Sequence, residues 1–185
     1  MIKIKKILKR IGDYASFFIF RVRIFTRKKM KEISEIVKSG DKILEIGSGG
    51  KNKDGECYFS AEKYFSDKSV DFIKSDKNTS FGHKVIDVVN LIEKEEYDHI
   101  LCFHVLDDVY EWQKAFLNLW SAIKIGGFLH IILPGYTPLD YPVDLFRFTD
   151  KLIKEFCVKN NIKIDKFEIH GFKKFPFAYY LRIKK

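Results

Sequence analysis

The sequence predicts an α/β fold built on a mostly parallel sheet, and three observations carry that expectation. Residues 43–50 read Ile-Leu-Glu-Ile-Gly-Ser-Gly-Gly, an apolar strand that ends in a glycine-rich turn. Strand-like runs and helical periodicity then alternate as far as about residue 133. Two strand-like stretches follow one another in the tail, joined by a short loop, and such neighbours pair antiparallel.

The elements are predicted in the following order. Lys28 to Lys38 reads as a helix, broken from the first strand by Gly40-Asp41. That strand covers about 42–47, where Ile43, Leu44 and Ile46 supply both faces. Residues 54–66, with Cys57, Tyr58, Ala61 and Tyr64 on one side, form a short or irregular helix. Val70 to Lys74 is the second strand, ending at Ser75-Asp76, and Lys84 to Ile86 the third, ending at Asp87. Too few residues separate these two for a full crossover helix, so some lateral helices are reduced to loops. The fourth strand is 98–103. A helix follows at about 108–123, with Val109, Trp112, Phe116, Leu119, Trp120 and Ile123 on one face. Gly126-Gly127 is expected to cap it, and 128–133 is the fifth strand, stopped by Pro134-Gly135. Thr149 to Lys159 is the last helix, capped by Thr149 or Asp150, before strands at about 162–169 and 176–183.

A chain of 185 residues accommodates one such domain with a sizeable core. Cys57, Cys102 and Cys157 are odd in number and widely spaced, so neither a disulfide framework nor a metal site is read from them. A reducing cytoplasm suits such thiols. The net charge of +9 is concentrated: residues 1–40 hold 12 Lys or Arg against 3 Asp or Glu, and the remainder is balanced. A globally basic nucleic-acid surface is therefore not expected.

Residues 1–27 read as a basic amphipathic arm ahead of a domain at 28–185. Ile4, Ile7, Leu8, Ile11, Ala15 and Phe18 recur at helical spacing, while Lys3, Lys5, Lys6, Lys9 and Arg10 fall mostly off that face. The apolar run is too short to span a bilayer, and Arg21 and Arg23 interrupt it where a signal peptide would be apolar. Two readings of the arm stand. It packs over the sheet or beside a ligand cleft, or it lies on an anionic membrane surface at the inner face of the membrane. Nucleic acid or a protein partner is a third.

The strand-turn at 43–50 resembles the first motif of class I S-adenosylmethionine-dependent methyltransferases. A dinucleotide-binding turn would place its third glycine at position 52, which is Asn52; Lys51 stands where many methyltransferases carry theirs. The resemblance runs from about residue 28 to the C-terminus. It implies a Rossmann-like seven-stranded sheet, mostly parallel with an antiparallel C-terminal strand, and S-adenosyl-L-methionine as cofactor. It also implies roles. Gly47, Ser48 and Gly49 would pass beneath the methionine part of the cofactor, and Glu45 would orient its amino group. Asp76 would accept from the ribose hydroxyls, while Asp87 or the backbone of Val88 would meet the adenine amino group. Each acid alone also suits a strand-terminal turn.

Phe103-His104-Val105-Leu106-Asp107-Asp108-Val109 resembles the H-V-L-E-H-V segment after the fourth strand of many small-molecule methyltransferases, departing at Asp108. His104 would face the sulfonium; its alternative is a histidine that bonds backbone at the strand end. His104, Asp107 and Tyr136 are the candidate catalytic residues. Tyr141-Pro142-Val143-Asp144-Leu145-Phe146-Arg147-Phe148-Thr149 resembles a P-x-D-Y-W-R-F-T segment of methyltransferases associated with polysaccharide and cell-envelope biosynthesis. Arg147 would contact a substrate anion, or else pair with Asp144 while Thr149 caps the next helix. The resemblance thus implies a cytoplasmic enzyme that methylates a small-molecule or glycan-type acceptor, at oxygen by analogy. The alternatives are a lipid or quinone-type methyltransferase at the membrane, or a cofactor-binding regulatory or scaffold protein without catalysis.

Overall fold

Seven strands form one sheet, in the spatial order Lys84–Val85 (β3), Asp71–Asp76 (β2), Lys42–Ile46 (β1), Tyr97–Phe103 (β4), Ile123–Pro134 (β5), Phe175–Lys184 (β7) and Ile164–Phe172 (β6). The computed structural model describes residues 2–50, 60–137 and 144–185, with the side chains of Phe17, Phe20 and all later residues in those ranges. Strands β1 to β5 pair in parallel, and β7 lies antiparallel between β5 and β6. The helices are α1 Ile2–Ile36, α2 Trp112–Ala122 and α3 Asp150–Lys159.

Alternation along the central strands builds two cores, because successive side chains point to opposite faces. Leu44, Ile100, Cys102 and Leu129 pack with Phe116 and Leu119 of α2 and Ile153 of α3. Ile43, Leu101 and Ile132 pack on the other face with Phe25, Met30 and Ile33 of α1. A buried polar file crosses the sheet. The His99 and His130 rings lie 3.1 Å apart, nitrogen to nitrogen, and His130 Nδ1 is 2.9 Å from the Tyr180 hydroxyl. Burial pushes the pKa of both histidines down, which keeps the file neutral.

Three elements differ from their sequence-based bounds. The arm and the helix expected at 28–38 form one continuous helix, α1, whose packed part includes Val22, Phe25 and Met30. Lys29, only 1% exposed, fastens it to β6 through Glu168 at 2.6 Å and pairs within the helix with Glu32, also at 2.6 Å. Helix α2 starts at Trp112 rather than 108, because a 3-10 turn at Leu106–Asp108 intervenes. The Asp107 carbonyl there accepts from the Leu145 and Phe146 amides instead of a helical donor. Gly126 and Gly127 do not cap α2. They lie within β5, where a Cβ on Gly127 would stand 2.7 Å from the Asp98 carbonyl oxygen.

The reduced lateral helices are as expected: single 3-10 turns at Thr79–Phe81 and Val88–Asn90 fill the β2–β3 and β3–β4 connections. Of the helix expected at 54–66, residues 54–59 fall outside the described segments, and Glu62–Tyr64 is a 3-10 turn. Lys51, Asn52, Cys57, Tyr58 and Pro142 likewise lie outside them.

Candidate functional site

The carboxyl ends of the parallel strands bring the sequence-predicted residues to one edge, in the order Asp87, Asp76, Gly47, His104. At the end of β1 the chain turns with Gly47 at φ +73° and Gly49 at φ +69°, a region that excludes most side chains. The Ser75 carbonyl holds this turn by accepting from the Gly47 and Ser48 amides at 2.9 and 3.0 Å. Val105 covers Gly47 so closely that a Cβ there would meet its Cγ2 at 2.5 Å.

Glu45 is 4% exposed and acts as an anchor. One carboxylate oxygen accepts from the Ser48 and Ser60 hydroxyls at 2.7 and 2.6 Å, and the other from the Ala61 amide at 2.6 Å. Burial raises its pKa against the lowering effect of these bonds. The carboxylate thereby ties both ends of the segment after β1 to the strand.

Asp76 ends β2 beside that turn. Its carboxylate accepts from the Gly49 amide at 3.2 Å and from the Asn78 amide at 2.9 Å. Asp87 begins a 3-10 turn and accepts from the Val89 amide at 3.0 Å and the Asn90 side chain at 2.9 Å. Val88 is buried, and its carbonyl accepts from Asn118 of α2 at 3.1 Å. Two neighbours of the turn carried no signal in the sequence. His83 Nε2 lies 2.9 Å from the Gly49 carbonyl oxygen, and the Phe81 ring faces Gly50, where a Cβ would be 2.9 Å away.

His104 follows β4 at φ +54°, and its amide donates to the Ile132 carbonyl at 3.0 Å. Thr26 of α1 reaches it. The Thr26 hydroxyl donates to the Val22 carbonyl at 3.0 Å, so at 3.0 Å from His104 Nε2 it acts as acceptor. This assigns the His104 proton to Nε2 and leaves Nδ1 as the acceptor of the ring. Burial pushes the pKa of His104 down to about 4.

Asp107 is 4% exposed, and burial together with Asp108 pushes its pKa up to about 7. Burial and a side-chain hydrogen bond with Asp144, which needs a proton on one of the two carboxyls, push Asp108 up to about 6. Asp144 pairs with Arg147, whose other nitrogens donate to the Thr137 and Phe146 carbonyls, both at 2.9 Å. Thr149 caps α3 by accepting from the Leu152 amide at 3.2 Å. Arg147 and Thr149 thus lock the loop before α3. Tyr136 follows β5. It packs edge-on against Phe175 and lines a depression with Thr149, Asp150, Lys173 and Tyr179.

Neither a protein-family model nor a curated protein matches the chain. Solved structures do. The Burkholderia thailandensis 1,6-didemethyltoxoflavin-N1-methyltransferase, crystallised with S-adenosylhomocysteine, aligns at TM-score 0.64 and 12% identity over 94% of this chain and 86% of its own. An S-adenosylmethionine-dependent methyltransferase from Archaeoglobus fulgidus aligns at 0.64 and 13% over 88% and 94%. The [4+2]-cyclase SpnF aligns at 0.64 and 13% over 86% and 81%. One scaffold therefore carries more than one chemistry in these similar structures. With the strand order and the antiparallel β7, they establish that this chain adopts the class I methyltransferase fold.

Proposed function

We propose that the protein is an S-adenosylmethionine-dependent methyltransferase acting on a small-molecule or glycan-type acceptor. The observation that carries this reading is the Gly47–Gly49 turn, with both glycines at positive φ and the carboxylate of Asp76 bonded to the Gly49 amide. Glu45, Ser48, Asp87, Val88 and His104 complete the proposed cofactor shell. Methyl transfer needs alignment of the acceptor with the sulfonium, and a base only where the acceptor must lose a proton. Among the candidates, Asp107 is the better base. A pKa of about 7 suits proton transfer at neutral pH, whereas that of His104, about 4, does not. We assign Arg147 to positioning of the loop through Asp144. The preference for a polysaccharide-type acceptor rests on the resemblance at 141–149 and that for oxygen on analogy alone, and the similar Burkholderia thailandensis structure is named for methylation at N1.

Calorimetry tests the reading. S-adenosylhomocysteine should bind and NAD should not; the reverse result would sink it. Asp76→Ala should weaken the sulfur ligand by about 1.5–3 kcal/mol, the worth of hydrogen bonds to a charged acceptor. Unchanged affinity would make Asp76 a turn residue only. Binding of S-adenosylhomocysteine without methyl transfer to any acceptor would instead favour the non-catalytic alternative.

One observation favours peripheral membrane contact as an addition. Phe17, Phe20 and Ile24 of α1 are 52%, 62% and 47% exposed, on the segment that carries the whole basic excess. No helix among the described residues is long and apolar enough to cross a membrane. The full chain should sediment with phosphatidylserine vesicles and lose binding as salt rises, at about 1 kcal/mol per lysine near the surface. A chain starting at residue 21 should not sediment, yet should melt close to the full chain, because Val22 and Phe25 remain packed. Absence of sedimentation by the full chain would end this reading.

A further inference from the structure

Three carboxylates from two separate loops meet beside His104. Asp107 and Asp108 follow β4, Asp144 precedes α3, and each offers an oxygen within 4.8 Å of the others. The loops are held in this arrangement, because the Asp107 carbonyl accepts from the Leu145 and Phe146 amides at 2.8 and 3.1 Å. A second observation is independent of the clustering. Asp107 is 4% exposed, and its Oδ1 is a buried atom without a hydrogen-bond partner, as is Asp108 Oδ1. Buried carboxylate oxygens are costly unless something positive or protic meets them.

We propose that Asp107, Asp108 and Asp144 form a binding site for a hard divalent cation. Charge supports this choice. Arg147 pairs with Asp144, so the trio in ionised form retains two negative charges, which one dication balances. Lys77 acts on Asp108 only through its field. The donors are all oxygen, which selects Mg²⁺, Mn²⁺ or Ca²⁺ over softer metals. Size is compatible too: oxygens within 4.8 Å of one another can share one cation, since oxygens on opposite sides of Ca²⁺ stand about 4.6–5.2 Å apart. The spacing of cysteines and histidines in the sequence gave no hint of this site, because its ligands lie some 36 positions apart and share one residue type. Its role rests on the methyltransferase reading: a cation there would hold an acceptor oxygen and ease its deprotonation, and it would replace the base role proposed above for Asp107 in the ion-free protein. Its existence does not rest on that reading.

The test uses the purified full chain after chelator treatment and removal of the chelator. Mn²⁺ titrated in and followed by the electron paramagnetic resonance of the free ion should saturate at one ion per chain, displaced by Mg²⁺ or Ca²⁺. Asp108→Asn and Asp107→Asn, checked for intact melting, should each weaken Mn²⁺ at least roughly tenfold. Asp165→Asn should not, since Asp165 pairs with Arg182 on the other side of the sheet order. No saturable Mn²⁺ binding by the wild-type chain, or equal binding in folded Asp108→Asn and Asp107→Asn, overturns the proposal. Calorimetry with S-adenosylhomocysteine on the same samples separates the two ideas. Ligand binding without Mn²⁺ binding defeats the cation site alone, and Mn²⁺ binding without the ligand supports the site while defeating the methyltransferase reading.

Discussion

Gly47→Ala should weaken S-adenosylhomocysteine binding about a hundredfold and lower the melting temperature. Two penalties coincide at this position. The backbone sits at φ +73°, which costs an L-residue about 1–2 kcal/mol. The new Cβ would also lie 2.5 Å from Val105 Cγ2, so Val105 or the turn must move, at about 1–3 kcal/mol. Together these predict a melting temperature lower by roughly 5–15 °C in a chain of this size. Either movement would displace the backbone on which the cofactor is proposed to lie, and affinity should fall by two orders of magnitude, about 2.7 kcal/mol. Gly40→Ala is the matched control. Gly40 has φ +87° but nothing within 4 Å of the place a methyl would take, so it carries the backbone penalty without the collision. That variant should melt slightly lower and bind the ligand normally. Equal ligand affinity in Gly47→Ala and Gly40→Ala would refute the proposed path of the cofactor across the turn.

Glu45→Ala should be the most destabilising change at the site. It removes one acceptor group from three donors, the Ser48 and Ser60 hydroxyls and the Ala61 amide. The hydroxyls can rotate toward other acceptors, but the buried Ala61 amide cannot. Hydrogen bonds to charged groups are worth about 1.5–3 kcal/mol each, and an orphaned donor costs about 1–3 kcal/mol. Losses of this kind do not add fully, so about 3–5 kcal/mol and at least roughly 6 °C of melting temperature are expected. Glu45→Gln keeps one carbonyl oxygen for the Ala61 amide and should fall between. Thermal melts of the three proteins decide the order. A Glu45→Ala variant as stable as wild type would show that the carboxylate is not the anchor of the segment after β1.

The places where sequence and structure part have local physical reasons. Helical periodicity continues from Val109 into Trp112 and Phe116, so the pattern could not register that Leu106–Asp108 closes as a 3-10 turn. That turn is set by the Leu145 and Phe146 amides, which arrive from about forty residues away. Gly126-Gly127 carries the composition of a helix cap. Its actual function, close approach of Gly127 to the Asp98 carbonyl, depends on strand pairing. The boundary expected between arm and helix has no Gly or Pro behind it, and α1 passes through it unbroken.

The sequence by itself determined the sheet, the glycine turn and the strand-end acids. Each of these is written in a contiguous run: buried strands as apolar runs, sharp turns as glycines, strand ends as polar residues. Only the tertiary structure decided which partners those residues keep. Glu45 is spent on Ser60 and Ala61, Thr26 fixes the tautomer of His104, and Asp144 comes to stand beside Asp107 and Asp108. None of these pairings has a sequence spacing to betray it, because each joins segments that meet only when strands and helix close around the sheet edge. The raised pKa of Asp107 and the lowered pKa of His104 arise from the same closure, since burial is the largest cause of each.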